Sequence, residues 1–272
     1  MQDIDAADLR KISELIFHKY NYDFRNYALS SFRRRVLRIL ELKKLTPSSL
    51  LAQLAEAPRF IEEFVDALTV NVTEMFRDPS FWRVIRHQVI PEVASQKKNF
   101  RVWHAGCSSG EEVITMAIIL KELGLLDRAE IMATDLDGNM LERAHIATYS
   151  LKSLAVHEKN YADLTGTPAS LKAYYTEEGN SAVFDPELIQ NVTYMRHDLV
   201  LGNTPGRYDI ILCRNVMIYF NQRLQNEVLR KFYRALEPHG FLCIGSKESL
   251  IWCDDANRFT AVHGSEKVYR RK

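Results

Sequence analysis

Residues 100–112 read FRVWHAGCSSGEE, an apolar six-residue run that passes through glycine and small residues into two glutamates and then the helical stretch VITMAIILKEL. A strand that turns sharply through glycines into a helix lets a ligand approach the turn backbone closely, as in nucleotide-binding α/β sheets. The alternation continues downstream. AEIMATD reads as a second strand and GNMLERAHIA as a second helix. VTYMRHDL, YDIILCRN and GFLCIGS supply further strands, a long helix runs from Gln222 to about Leu236, and a closing pair lies near 258–260 and 267–270. Alternating units of this kind predict a mostly parallel sheet with helices on both faces.

Upstream of residue 96 the period changes. Segments 8–20, 31–44, 46–56 and 59–68 carry apolar residues at helical spacing without two-residue alternation. Thr46-Pro47 places an N-cap ahead of a proline at the first helical position, and Ala57-Pro58 separates the next two helices. This predicts an all-helical domain over residues 1–85 and an α/β domain over 86–272. Between 154 and 190, Gly166, Pro168, Gly179 and Pro186 punctuate tyrosine-rich pieces, so a small antiparallel β subdomain with a hairpin is expected to be inserted there.

The 272 residues carry a net charge of +1, with 46% hydrophobic and 26% charged residues. These are globular values that exclude disordered and collagen-like chains, and the near-neutral total points to no partner. The acidic start MQDIDAADLR does not read as a signal peptide, and no apolar run reaches the roughly 20 residues of a membrane span. A cytoplasmic protein without membrane insertion is expected. Cys107, Cys213, Cys243 and Cys253 are scattered singly, without a CxxC pair, which predicts reduced, packed thiols and no metal site.

The turn Gly106-Cys107-Ser108-Ser109-Gly110 matches neither GxGxxG nor GxxxxGK[ST], and Glu111 and Glu112 at the helix start would repel a phosphate. A cationic or hydroxyl-rich ligand fits better. Asp135, at the tip of the next strand and 29 positions after Gly106, is placed to accept hydrogen bonds from ribose hydroxyls, whereas Asp137 reads as the N-cap of the following helix. Together these features favour S-adenosylmethionine over a dinucleotide.

The strings TVNVTEMFRDPSFW, VWHAGCSSGEE, ATDLD, CRNVMIYF and GSKESL, in this order and spacing, resemble the chemotaxis receptor glutamate methyltransferases of the CheR type. The resemblance extends over essentially the whole chain. It implies an N-terminal helical domain and a Rossmann-like, S-adenosylmethionine-dependent α/β domain with an antiparallel closing strand and a small β insertion. It also implies methyl-ester formation on receptor glutamates, with S-adenosylhomocysteine as the spent cofactor.

Carried over by position, the resemblance implies cofactor contacts from Asn71, Thr73 and Arg77, with Met75 replacing a phenylalanine of the motif. Gly106, Glu111 or Glu112, Asp135, Asp198, Leu199, Asn215 and Val216 complete the set, and Val113 stands where the motif has proline. Arg77 could clamp the methionine carboxylate through its bidentate fork, or pair with Asp78 or Glu74. Asp198 reads equally well as a turn residue. Tyr219 could order the acceptor carboxylate or belong to the core, and with Arg77 it is the candidate for the reacting centre. His104 and His197 lie near strand ends and read as structural. A glutamate is ionised at neutral pH, so methyl transfer to it needs alignment and water exclusion rather than a general base.

Between residues 25 and 44 stand seven basic residues against one acid, Glu41. Arg33, Arg34, Arg35 and Arg38 are the candidate partner-binding residues, because a basic helix face would steer the acidic cytoplasmic helices of a receptor. No aromatics interleave with the arginines on that face, so no nucleic-acid partner is expected. A monomer is the default expectation.

Overall fold

The computed structural model describes residues 4–69, 73–167 and 169–272. Four helices open the chain: α1 (Ala6–Tyr20), α2 (Leu29–Lys43), α3 (Pro47–Glu56) and α4 (Phe60–Leu68). Their starts follow from local chemistry. The Asp5 carboxylate accepts the Asp8 N–H at 2.8 Å, and Thr46 and Ser49 cap one another reciprocally with Pro47 at the first position of α3. The apolar stripes of these helices enclose one core that includes Ile12, Phe32, Leu40, Leu54 and Phe64.

A longer helical stretch follows as α5 (Pro79–Val84), a π turn at Ile85–Val89, and α6 (Ile90–Gln96). Then come β1 (Phe100–Ala105), α7 (Glu111–Glu122), β2 (Ala129–Asp135), α8 (Gly138–Ile146), β3 (Thr148–Ser150) and α9 (Leu151–Thr165). The chain continues through β4 (Tyr175–Glu178), β5 (Ser181–Phe184), β6 (Val192–Arg196), β7 (Tyr208–Cys213), α10 (Gln222–Ala235), β8 (Leu236–Ile244), β9 (Phe259–His263) and β10 (Val268–Arg271).

Seven strands form one sheet in the order β6-β2-β1-β7-β8-β10-β9. Its pairs are parallel except those of β10, which runs antiparallel to both β8 and β9. The two-residue strand period sends neighbours to opposite faces. Val102, Ile210 and Phe241 join the core that includes α7, whereas Trp103, Ile211 and Leu242 join the core that includes α10. Both faces are covered, as a parallel sheet requires.

Two expected boundaries are corrected. Phe76, Phe81, Trp82 and Val84 pack into the sheet core, not into that of α1–α4. The core therefore changes between Leu68 and Met75 rather than at residue 85, because the apolar side chains of α5 need a larger surface to bury against. The insertion, whose sheet is ordered β3-β5-β4, begins at Thr148 rather than 154 and contains the 15-residue helix α9 as well as the expected hairpin β4–β5.

The turn between α1 and α2 is stitched to the segment after β7. Ala28 N–H donates to the Tyr219 carbonyl at 2.8 Å, Asn221 N–H donates to the Asn26 carbonyl at 2.9 Å, and the Tyr27 and Phe220 rings meet edge-on at 5.2 Å. The helical part thus closes over the carboxyl ends of the central strands, where a ligand crevice is expected in this topology.

Phe232 of α10 is fully buried and meets Trp103 at 5.5 Å between ring centroids. Phe232→Ala should lower unfolding stability by about 3–5 kcal/mol through lost burial and a residual cavity, read as a lower urea midpoint at unchanged slope. A loss below about 1 kcal/mol would mean that α10 is not anchored through this residue.

Candidate functional site

A cavity of about 240 Å³ opens at the carboxyl ends of β1, β2 and β7. Its floor is the glycine turn. Gly106 and Cys107 donate their N–H groups to the Thr134 carbonyl at 2.8 and 2.9 Å, which fastens the turn to β2. Gly106 has φ +85°, and a Cβ there would fall 2.5 Å from a Val216 methyl, so both backbone sign and space require glycine. Asp135, Asp198 and Leu199 line the adjoining wall, and Thr73 and Arg77 come from the linker. Asn71 lies outside the described residues.

Asp135 is partly buried. One of its carboxylate oxygens accepts Ser108 N–H at 2.7 Å and the other accepts Asp137 N–H at 3.0 Å. Burial raises its pKa, and these backbone hydrogen bonds oppose the rise. Asp137 caps α8 as expected, accepting from Asn139 and Met140. Asp198 has the turn role, accepting Val200 N–H at 2.7 Å, and it also lines the cavity. Lys231 of α10 holds the same loop through the carbonyls of Leu199, Val200 and Gly202.

The two glutamates after the turn separate. Glu112 lines the cavity and Glu111 does not. Glu112 accepts from His104 Nδ1 at 2.9 Å and from Arg214 Nη1 at 3.1 Å, and Arg214 also donates to Asp78 at 2.6 Å. Burial alone would raise the Glu112 carboxyl, but His104 and Arg214 outweigh it and hold it below the usual range. The Arg214 guanidinium lies 4.0 Å from the Phe81 ring centroid, so one buried cation ties β1, α7, the segment after β7 and the linker together. Val113, in place of the motif's proline, is fully buried in α7. Met75 is fully buried too, with its N–H on His157 Nδ1 and its carbonyl accepting from Asn160.

Phe24, Tyr27, Leu68 and Thr69 of the helical part line the cavity without having been anticipated as site residues, and Arg35 lines it too. Arg35 was expected on the partner-facing surface, and this is corrected. It is 7% exposed, donates to the Leu68 carbonyl at 2.8 Å and stacks 4.4 Å from the Tyr219 ring centroid. Burial pulls its guanidinium below the usual arginine range. The missed signal is its place on the apolar stripe of α2 with Phe32, Val36 and Ile39. Arg33, Arg34 and Arg38 are exposed around a shallow groove with Leu29 and Leu37. All four cysteines are buried, and no cluster suited to a metal ion occurs among the described residues.

The cavity's chemistry suits S-adenosylmethionine. Asp135 offers acceptors to a ribose, Arg77 a cation to a carboxylate, and Gly106 a close backbone approach, a mixture that a zwitterionic nucleoside requires and a phosphate ligand does not.

Glu111 is buried and accepts from Ser109 Oγ at 2.7 Å. Burial, partly offset by that bond, pushes its carboxyl up to about 7. The unfolded chain ionises it near pH 4.3, so stability from the neutral form is present below that pH and is lost as pH rises through 7. Glu111→Gln should therefore exceed the wild type in stability at pH 8 by up to roughly 3 kcal/mol, an advantage that shrinks toward pH 5 in urea titrations. A pH-independent difference would refute this.

Residues 7–69 match the all-alpha domain of the CheR methyltransferases, and residues 71–268 match their SAM-binding domain. Cher3 of Pseudomonas putida is 38% identical over 265 residues, covering 97% of this chain and 96% of its own. A Listeria innocua protein named chemotaxis protein methyltransferase is 31% identical, covering 84% and 85%. With a glycine turn, a strand-tip acid and a linker arginine around one cavity, this chain belongs to the CheR methyltransferase family, and its cofactor is S-adenosylmethionine.

Proposed function

We propose that the protein methylates glutamate side chains of methyl-accepting chemotaxis receptors, forming glutamyl methyl esters. Helix α2 carries this reading. Its buried face puts Arg35 against Tyr219 inside the cavity, while its exposed face presents Arg33, Arg34 and Arg38. An acidic receptor helix would be steered by the outer arginines and would deliver one carboxylate toward the inner one. Relatives named chemotaxis protein methyltransferase support a receptor as the acceptor. In this reading the protein works as a cytoplasmic monomer recruited to its receptors and binds no nucleic acid.

When bound, S-adenosylmethionine supplies an electrophilic methyl group on a sulfonium. Asp135 would hold its ribose, Arg77 and Thr73 its methionine end, Asp198 and Leu199 its adenine edge, and Gly106, Glu112, Asn215 and Val216 would shape the remaining wall. Glu111 lies behind this wall, packed within the fold. The acceptor carboxylate is ionised at neutral pH, so no residue has to remove a proton. Arg35 and Tyr219 would orient it, and Phe24, Tyr27 and Phe220 would keep water out.

Incubation with methyl-labelled S-adenosylmethionine and cytoplasmic receptor fragments should label the fragments. Mild base should then release the label as methanol. Base-stable label would move the acceptor to nitrogen, and cofactor binding without label would favour a signalling module that does not turn over. Reversing Arg34 and Arg38 to Glu should raise KM for the receptor fragment by roughly tenfold or more while S-adenosylhomocysteine affinity stays unchanged. Equal loss of both would make α2 a structural element only.

A further inference from the structure

Glu248, in the GSKESL string after β8, does not line the cavity, yet its buried carboxylate grips the segment that does. One oxygen accepts the N–H groups of Val216 at 3.0 Å and Ile218 at 3.2 Å. The other accepts those of Asn215 at 3.1 Å and Gly245 at 2.5 Å. Four backbone donors thus converge on one side chain, at the only charge state in which both oxygens are pure acceptors.

The gripped segment is not regular. Asn215 has φ +62°, a left-handed conformation that asparagine tolerates better than most side chains, and Met217–Tyr219 is a single 3-10 turn. Beside it, a Cβ at Gly245 would lie 2.8 Å from the Asn215 nitrogen and 2.9 Å from Glu248 Oε2. The turn after β8 and the turn after β7 are therefore fitted to each other with the carboxylate between them. Among the described residues, Glu248 is the side-chain acceptor for the N–H groups of Asn215, Val216 and Ile218.

We propose that Glu248 is a positioning residue for methyl transfer: its carboxylate fixes the left-handed turn at Asn215 and so places Asn215, Val216 and Tyr219 on the cavity wall. The proposal rests on the reading of that cavity as the cofactor and acceptor site. It does not depend on the acceptor being a receptor. An amide at this position presents N–H to N–H, losing at least one oxygen's worth of acceptor capacity, and an aspartate keeps the charge but falls a methylene short.

The test compares Glu248→Gln and Glu248→Asp with the wild type. It reads S-adenosylhomocysteine affinity by calorimetry, methyl transfer under saturating cofactor, and amide hydrogen exchange. In Glu248→Gln, kcat should fall by roughly 10²-fold, because a misplacement near 1 Å costs that much. Binding of S-adenosylhomocysteine should weaken, and exchange should quicken at Asn215, Val216 and Ile218 while β1 and α7 keep their protection. Glu248→Asp should recover part of the kcat. A kcat and an affinity within about threefold of wild type would overturn the proposal. Faster exchange spread over the whole sheet, with normal kcat per folded molecule, would also overturn it. If Glu248→Gln does not fold, Glu248→Asp decides, since native exchange at the three amides together with wild-type affinity would refute it. Affinity and exchange need no acceptor, so failure of the receptor reading stays distinguishable from failure of this one.

Discussion

The buried pair between Arg214 and Glu112 is the constraint around which the site is organised. Arg214 is 8% exposed, and taking such a cation out of water is costly unless it is paired with opposite charge and hydrogen-bonded. Here Glu112 and Asp78 supply charge, the Arg77 carbonyl accepts, and the Phe81 ring covers a face of the guanidinium. His104 then holds the other Glu112 oxygen. Because these groups come from β1, α7, the linker, α5 and the segment after β7, one cation ties five elements to one another. Removing either member of the pair would leave its partner buried and unanswered, which is the expensive way to lose an ion pair.

Around that centre the cavity is closed by a part of the chain with its own core. The α1–α4 bundle buries its apolar stripes internally and presents Phe24, Tyr27, Arg35, Leu68 and Thr69 to the cavity. Its attachments include the backbone bonds at Ala28 and Asn26, the Thr69 hydroxyl on Asp137 and the ion pair of Glu62 with Arg196 of β6. The linker is supported from the far side by His157 and Asn160 of α9. The insertion therefore has a task beyond its exposed hairpin, since it holds the backbone at Met75, two residues from Arg77.

Much of this was legible in advance. Helical spacing marked α1–α4, strand runs marked the sheet, and the glycine turn with Asp135 at the next strand tip marked the crevice, because periodicity and turn chemistry are local properties. The motif strings then named the family. The basic stretch was less transparent. Seven cations between 25 and 44 looked like one face, but Arg25 pairs with Asp23, Lys43 pairs with Glu63 and Arg35 turns inward. Whether a helical arginine faces water or a cavity depends on what packs above it, and that partner, Tyr219, lies 184 positions later.

The sequence by itself determined the order and type of the elements, the parallel sheet and the chemistry of a cationic, ribose-bearing ligand, since each is written in residues a few positions apart. Only the tertiary structure decided that Glu112 and not Glu111 borders the cavity, that the helical core ends at Leu68, and that Arg35 and Glu248 belong to the site's construction. Those outcomes depend on residues brought together across the chain. Burial, ion pairing and the filling of backbone donors are settled by neighbours in space, and no window of sequence contains them.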